Sequence, residues 1–406
     1  MVSIITETEA KTLGVNIKRL ERLDAFLREV TENGTHPSGV VRVLRYGKEI
    51  FSGAYGVAAP GGRPTAMDAI FPVASVTKVV TATLLAILQE DGVVDFCDRL
   101  NKYYPEFKGD KKDAVELWQL LCHSSGMSDE AMSKYGGDFM RDNFGLELSE
   151  NSSREKINAA AQKARDFLKL PKAEGPAAVA EVEEILKLRA PLASDPHTAF
   201  EYCSTAYVLL GKLVERLTGE DIDSFAKRRL FDPLGMRDTH FSLPREKWPR
   251  VVKRDPSLCF AEWLNSDFVL SDTNGAGSLK TTMYDLTRLG QLYLDEGTLD
   301  GIEILSPATA RLMASNQNAK LPDSFWFGRI LGSAWGLGWH VRCGKRDDLG
   351  LLRSDRTFDH GGAGGAHLVI DPDAGLVFAL YLVDREQFDA YPNHGRVANI
   401  IYSALK

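Results

Sequence analysis

The stretch Ala74-Ser75-Val76-Thr77-Lys78, followed directly by V-V-T-A-T-L-L-A-I-L over residues 79–88, decides the fold. Its alanine and leucine content, its length and the stop at Gly92 favour a buried helix that begins near Ser75 over a strand. A serine at a helix start is usually a cap for a free backbone N–H group. Lys78, three residues on, lies on the same helix face, where its amine can reach the Ser75 hydroxyl. The stretch therefore also admits a catalytic interpretation.

That interpretation depends on how a buried lysine behaves. Burial disfavours the charged form of an amine, so a lysine in an apolar site loses basicity. A nearly neutral Lys78 could take the proton of Ser75 and make it a nucleophile. The helix N-terminus would also direct backbone N–H groups at an oxyanion forming there. The S-x-x-K pattern alone is weak, because it occurs by chance in most chains of this length.

Bulk properties exclude several classes of function. The chain has 406 residues, a net charge of −7 and 44% hydrophobic residues, with no block of lysine and arginine. We therefore expect a large core and no nucleic-acid partner. The first ten residues lack the features of an export signal, and no run reaches the roughly 18 apolar residues of a membrane span. Five scattered cysteines without a C-x-x-C pair suit reduced thiols, so a cytoplasmic location is expected.

Both chain ends carry β-hairpin patterns with a terminal helix. Helical spacing over 16–30 precedes two β-rich runs at 39–45 and 49–56, separated by a short glycine turn. Near the other end, runs at 366–370 and 375–383 flank a turn, and a helix is predicted over 393–405. We predict one antiparallel sheet built from distant parts of the sequence. The middle is predicted to be mostly helical, with helices at 75–91, 114–121, 154–188, 206–217, 222–230 and 282–294 and with Gly136-Gly137 and Pro171 as breaks.

The predicted fold class is α/β (α+β), with an antiparallel sheet flanked by terminal helices and an inserted all-helical domain. Residues 1–74 and 281–406 are assigned to the sheet domain and 75–280 to the mainly helical domain. Within the latter, 128–195 is rich in Ala, Glu and Lys and carries no motif. It is either a lid or wall over a site or a plain helical elaboration.

Two further short segments could carry chemistry and, with Ser75-x-x-Lys78, make three candidate motifs. Tyr202-Cys203-Ser204 leads directly into an apolar helix, and His360-Gly361-Gly362 leads into a strand. With Ser75-x-x-Lys78 they resemble, in order and spacing, the three motifs of the penicillin-recognising serine hydrolases. The resemblance is particularly to the branch that contains the class C β-lactamases and the family VIII carboxylesterases. Supporting segments of that branch are similar too, at 120–127 (L-L-C-H-S-S-G-M), 275–279 (G-A-G-S-L) and 335–339 (W-G-L-G-W). The resemblance implies that 335–339 is a strand.

The resemblance implies a β-lactamase/transpeptidase-like fold with a site where the two domains meet. Ser75 would accept the acyl group, and Lys78 and Tyr202 would share its proton, Tyr202 later acting as base for the second acceptor. The backbone N–H groups of Ser75 and Ala363 would form the oxyanion hole. His123 is expected to be a supporting hydrogen-bonding residue. The predicted substrate-binding residues are Ser204, His360, Gly361, Gly362, Ala363, Trp335 and Trp339; the two tryptophans either line the acyl pocket or only pack.

Two departures from the β-lactamase pattern bear on the substrate. The third motif of these β-lactamases begins with a lysine that pairs with the substrate carboxylate, and the second ends in asparagine; here these positions are His360 and Ser204. A histidine is only partly charged near neutral pH. Both changes favour neutral esters over an anionic lactam.

We therefore predict a serine hydrolase that cleaves carboxylic esters through an acyl-Ser75 intermediate, without metal or cofactor. Three alternatives stay open: an acyltransferase, a β-lactamase or D-alanyl-D-alanine peptidase, and a non-catalytic binding protein. The expected partner is a small-molecule ester or acyl substrate. The sequence leaves the oligomeric state open.

Overall fold

A computed structural model describes residues 2–59, 61–149, 152–326, 330–331, 333–344, 347, 349–387 and 390–406. The chain divides into two compact units. The first unit is Met1–Val94, Tyr207–Ala319 and Asp323–Lys406, and the second unit is Asp95–Ala206 with Lys320–Pro322. The domain boundaries predicted after residues 74 and 280 do not coincide with the limits of these units, and they stay a prediction.

The first unit is built on an antiparallel sheet of seven strands in the order β1-β3-β2-β13-β12-β11-β10. Central strand β13 pairs with β2 from the other end of the sequence, with Phe378 opposite Val43. The prediction of one sheet made from both chain ends is therefore confirmed. The described strands are β1 (Val2–Ile4), β2 (Ser38–Arg45), β3 (Lys48–Gly56), β4 (Phe71–Pro72), β5 (Lys280–Thr281), β6 (Thr298–Leu299), β7 (Ile302–Glu303), β8 (Phe325–Trp326), β9 (Ile330–Leu331), β10 (His340–Val341), β11 (Phe358–Gly362), β12 (Ala366–Asp371) and β13 (Leu376–Leu382).

Of the described helices, α4 to α7 lie in the second unit, α8 begins there and ends in the first, and the others lie in the first unit. They are α1 (Glu7–Thr12), α2 (Ile17–Glu32), α3 (Thr77–Glu90), α4 (Leu117–Leu121), α5 (Asp129–Phe144), α6 (Arg154–Leu168), α7 (Pro176–Arg189), α8 (Ser204–Thr218), α9 (Ile222–Ala226), α10 (Ala261–Leu264), α11 (Asp267–Ser271), α12 (Met283–Leu294), α13 (Pro307–Met313) and α14 (Tyr391–Ser403).

Helices cover both faces of the sheet, which explains why β13 is buried along its whole length. The terminal helices α2 and α14 pack against the core side chains of β2 and β13, as predicted for terminal helices. Helix α12 packs against β12 and β13, where its Gly290 lies so close that an added Cβ would be 2.6 Å from Val377 Cγ1. A sheet that is covered on both faces needs apolar side chains on both faces, and this accounts for the near-continuous apolar runs in strands such as β13.

Helix α3 begins where the sequence predicted a core helix. A 3-10 turn, Ala74–Val76, leads into it, and every residue from Thr77 to Leu88 is buried. The apolar run therefore serves the core of the first unit.

The helices of the second unit differ from the prediction in two places and agree with it in one. Gly136 and Gly137 do not break the chain but lie inside α5, so that prediction is wrong. Pro171 does separate two helices, α6 and α7. Helix α4 begins three residues later than predicted, because Val115 is extended and ends a separate 3-10 turn. The three long helices α5, α6 and α7 share a small apolar core that includes Met140, Ala164 and Val182.

The aromatic segment at 335–339 is not a strand, contrary to the prediction. Trp335 forms an isolated bridge with His340, and the chain turns between them through Gly338, whose φ is +98°. Strand β10 begins only at His340. Within the described ranges, none of the helices has the length and apolar character needed to cross a bilayer.

Candidate active site

Ser75 and Lys78 are brought together as the sequence predicted. Lys78 Nζ lies 3.1 Å from Ser75 Oγ and also donates to the Ala276 carbonyl at 2.8 Å. The Lys78 side chain is buried, whereas Ser75 is partly exposed. A buried amine within hydrogen-bonding reach of a partly exposed hydroxyl is the arrangement that serine activation needs.

The turn that carries Ser75 is held by several contacts. Ala74 has a φ of +44°, in the left-handed region that costs a residue with a side chain energy. The Thr77 hydroxyl stabilises this conformation, because it donates to the Ala74 carbonyl at 2.5 Å and accepts the Leu279 N–H at 2.9 Å. Ala276 and Leu279 belong to the glycine segment at 275–279. That segment therefore fixes both the serine turn and the lysine.

The glycine-rich third motif lies against the same turn. Strand β11 contacts the turn, and a Cβ on Gly362 would be only 2.1 Å from the Val73 carbonyl oxygen. A side chain at Gly362 would therefore push β11 away from the chain leading to Ser75. Ala363 follows directly, which is consistent with the predicted role of its N–H group, although that role stays a prediction.

His360 is uncharged in this environment. Burial and the nearby Lys78 ammonium lower the pKa of His360 to about 3. Its Nδ1 lies 2.7 Å from the Gly361 carbonyl oxygen, so the proton of the neutral ring is on Nδ1. The side chain is 1% exposed and packs edge-on against Trp335, with ring centroids 5.5 Å apart. The sequence predicted a partly charged histidine, whereas the structure makes this position neutral at physiological pH.

A network of buried charged residues surrounds Asp359 on strand β11. Asp359, next to His360, lies 3.2 Å from His340 Nδ1, 2.9 Å from His367 Nε2 and 3.0 Å from an Arg353 nitrogen. Burial alone would raise the pKa of Asp359, but the two histidines hold it well below its usual range. The Asp359 charge is thus compensated by these three neighbours.

Trp335 and Trp339 are both buried. The Trp339 ring packs edge-on against Tyr293 and Phe358 at centroid distances of 4.9 and 5.1 Å. Trp335 lies between His340 and His360. In this structure both tryptophans pack, and Trp335 contacts the third motif.

Tyr202 and Ser204 lie in the second unit, directly before and at the start of α8. The His123 ring lies against the Tyr202 ring with centroids 4.2 Å apart. His123 Nδ1 accepts the Cys203 N–H at 3.2 Å, and the His123 carbonyl accepts the Glu201 N–H at 2.8 Å. His123 therefore holds both sides of the Tyr202 backbone, as expected of a supporting residue. The catalytic role of Tyr202 stays a prediction.

Asp129 is a contributor that the sequence analysis missed. Its carboxylate accepts the N–H groups of Ser204 at 2.7 Å and Thr205 at 2.9 Å, the first donors of α8. An anion there also suits the positive end of the helix dipole. Asp129 itself begins α5, capped by Ser128, so the signal was a serine-aspartate pair at a helix start, 73 residues before Tyr202.

Helix α8 continues into the first unit. There its Tyr207 ring centroid lies 5.8 Å from Lys78 Nζ, within the range of a cation–π contact. Among the residues that the structure describes, no group of three or more His, Cys, Asp or Glu side chains is arranged to hold a metal ion.

Comparison with known proteins agrees with this arrangement. The Beta-lactamase family model matches residues 23–398, which is most of the chain. The chain belongs to the beta-lactamase family. This match confirms the predicted family, which is a family of serine hydrolases.

Three relatives illustrate the breadth of the match. Over 376 residues the beta-lactamase-family chain is 28% identical to Penicillin-binding protein 4 of Amycolatopsis lactamdurans, covering 89% of this chain and 83% of the relative. Its fold is similar to EstCE1, described as a hydrolase with promiscuous acyltransferase activity, with a TM-score of 0.71, 18% identity and coverage of 95% and 99%. It is also similar to a family VIII carboxylesterase, with a TM-score of 0.70, 18% identity and full coverage of both chains. The predicted fold class is confirmed.

Proposed function

We propose that this protein hydrolyses uncharged carboxylic esters through an acyl-Ser75 intermediate. The observation that carries the proposal is the 3.1 Å separation of Lys78 Nζ and Ser75 Oγ at the start of α3. The Lys78 ammonium first gives up a proton to solvent, and the resulting amine takes the hydroxyl proton while Oγ attacks the ester carbonyl carbon. The tetrahedral oxyanion then collapses, the ester C–O bond breaks, and the alcohol leaves with the proton.

Water completes the reaction in the second half. It adds to the acyl carbonyl, gives up a proton to the Lys78–Tyr202 pair, and releases the acid with regeneration of Ser75. The N–H groups of Ser75 and Ala363 would stabilise both oxyanions, each donor contributing about 3–4 kcal/mol in comparable sites. The proton transfers would contribute about a hundred- to ten-thousandfold.

The neutral His360 supports an ester over a substrate with a carboxylate. A buried imidazole whose Nδ1 proton is given to a carbonyl offers no positive charge. Relatives include a penicillin-binding protein, and β-lactams and peptide C-termini carry a carboxylate that a cation would pair with. This argues against the β-lactamase and peptidase alternatives.

Acyl transfer to an alcohol is the second candidate. It uses the same acyl-enzyme and differs only in the acceptor of the second step. The similarity to EstCE1, itself described as having promiscuous acyltransferase activity, supports this candidate. A purely binding role is disfavoured by the close approach of Lys78 to Ser75.

Labelling by a fluorophosphonate, with p-nitrophenyl butyrate and a chromogenic cephalosporin as substrates, tests the proposal. We expect labelling and butyrate hydrolysis in the natural protein, the loss of both in Ser75→Ala, and little cephalosporin turnover. Ser403→Ala, a serine change in α14, is the matched control and keeps both. Labelling that persists in Ser75→Ala would assign the nucleophile to another residue, and cephalosporin turnover exceeding ester turnover would overturn the substrate class.

A further inference from the structure

The second unit contains a cavity of about 490 Å³. Residues of helices α5, α6 and α7 and of the start of α8 line it, and most of their side chains are apolar. Its volume lies within the range of small-molecule sites. The principal apolar lining residues are Met132, Met140, Ile157, Val179, Val182 and Leu186.

One face of α5 forms a wall of this cavity. Asp129, Ser133, Gly136 and Gly137 line it together with the two methionines, which matches the spacing of a single helix face. Glycine inside a helix is about 1 kcal/mol less favourable than alanine. A Cβ at Gly136 or Gly137 would nevertheless meet no atom within 4 Å, so packing does not require glycine at either position. The two glycines keep the cavity open at a cost to the helix.

Two polar residues of the cavity lining, Asp129 and Thr205, adjoin the second motif. The Asp129 carboxylate accepts the N–H groups of Ser204 and Thr205. Tyr202 precedes this pair by two residues. A molecule whose reacting ester lies at the motif would therefore have an apolar space next to it for a chain.

We propose that this cavity binds the unbranched alkyl chain, of about six to ten carbons, of the ester substrate. The proposal rests on the proposed function, because it places the reacting ester at the motif of Tyr202. The volume of the cavity equals that of about sixteen water molecules at roughly 30 Å³ each. A methylene group is of similar size, so a chain of ten carbons fits with space left. The chain would come from either the acyl or the alcohol part of the ester.

Chain length gives the first test. With p-nitrophenyl esters from acetate to decanoate, we expect kcat/KM to rise about fourfold for each methylene that enters the cavity. In Gly136→Leu, whose side chain fills the space, the octanoate-to-acetate ratio of kcat/KM should fall at least tenfold. Lys134→Leu adds the same side chain to an exposed position of α5 and should keep the ratio. A flat length profile, or equal ratios in all three proteins, would overturn the proposal.

The same series run with alkyl acetates from ethyl to decyl distinguishes the two sources of the chain. A length dependence that Gly136→Leu abolishes in the p-nitrophenyl series assigns the cavity to the acyl part. The same loss in the acetate series assigns it to the alcohol part, and either result supports an alkyl site.

Binding without turnover separates this proposal from the proposed function. Calorimetry of octan-1-ol, an uncharged alkyl probe, with Ser75→Ala should show binding that butan-1-ol does not match, whether or not the protein hydrolyses esters and whether or not Gly136→Leu folds. Octan-1-ol binding in a protein without esterase activity would refute the proposed function but not the cavity. Esterase activity with no octan-1-ol binding and a flat length profile would refute only the cavity.

Discussion

His360 makes the protein sensitive to acid in a way that can be calculated. Its pKa is lowered to about 3 by burial and by Lys78, against 6.5 in the unfolded chain. Below pH 6.5 the unfolded state therefore binds a proton that the folded state does not, and the free energy of unfolding falls by about 1.4 kcal/mol per pH unit. Between pH 7.5 and pH 5 this one residue should remove about 2 kcal/mol of stability. Full stability is present above pH 6.5.

Urea unfolding of the natural protein and of His360→Asn at the two pH values measures this loss. Asparagine does not titrate, and its amide can still donate to the Gly361 carbonyl, so the variant should lose about 2 kcal/mol less than the natural protein on acidification. Other titrating groups contribute equally to both proteins and cancel. His197→Asn, at a half-buried histidine of the second unit, is the control and should show a smaller difference. Equal losses in the natural protein and His360→Asn would refute the neutral buried imidazole.

Three substitutions test the supports of the site. Gly362→Ala places a Cβ 2.1 Å from the Val73 carbonyl oxygen, so we expect the free energy of unfolding to fall by about 1–3 kcal/mol and kcat/KM to fall. Gly361→Ala meets side-chain atoms of Tyr391 and His367 and no backbone, so it should lose less stability; equal losses would contradict the argument. Asp129→Ala leaves two backbone N–H groups of α8 without their charged acceptor. The free energy of unfolding measured in urea should fall by about 2–3 kcal/mol. A change below about 0.5 kcal/mol would exclude a capping role. Arg353→Met removes a fully buried cation from the carboxylates of Asp347 and Asp359. The free energy of unfolding should fall by about 3–5 kcal/mol. An unchanged free energy of unfolding would show that these ion pairs are not buried in solution.

The parts of the site that could be predicted from sequence are those set by local geometry. Ser75 and Lys78 are three residues apart on one helix, so their contact follows from the helical repeat alone. The hairpins at the two chain ends carry enough alternating and apolar residues to identify the sheet. In contrast, low helix propensity predicts a break at Gly136 and Gly137, and the tertiary packing of α5 overrides that propensity.

The parts that could not be predicted are contacts between residues far apart in sequence. The bond from Lys78 to the Ala276 carbonyl spans 198 positions, and that from Ser204 to Asp129 spans 75. Ala276 and Ser204 lie in motif segments, but their partners could not be assigned, because a backbone carbonyl has no sequence signature and aspartate is common at helix starts. The charge of His360 was likewise beyond sequence, since it depends on burial and on Lys78 nearby.

The network behind β11 explains why His360 stays neutral beside an aspartate. An unpaired Asp359 would raise the pKa of His360 by attraction, but His340, His367 and Arg353 already engage both of its oxygens. His360 is therefore left uncharged and offers no ion pair to an anionic substrate. Discrimination among substrates must then come from apolar burial more than from ion pairing, which is the kind of selectivity that an alkyl cavity supplies.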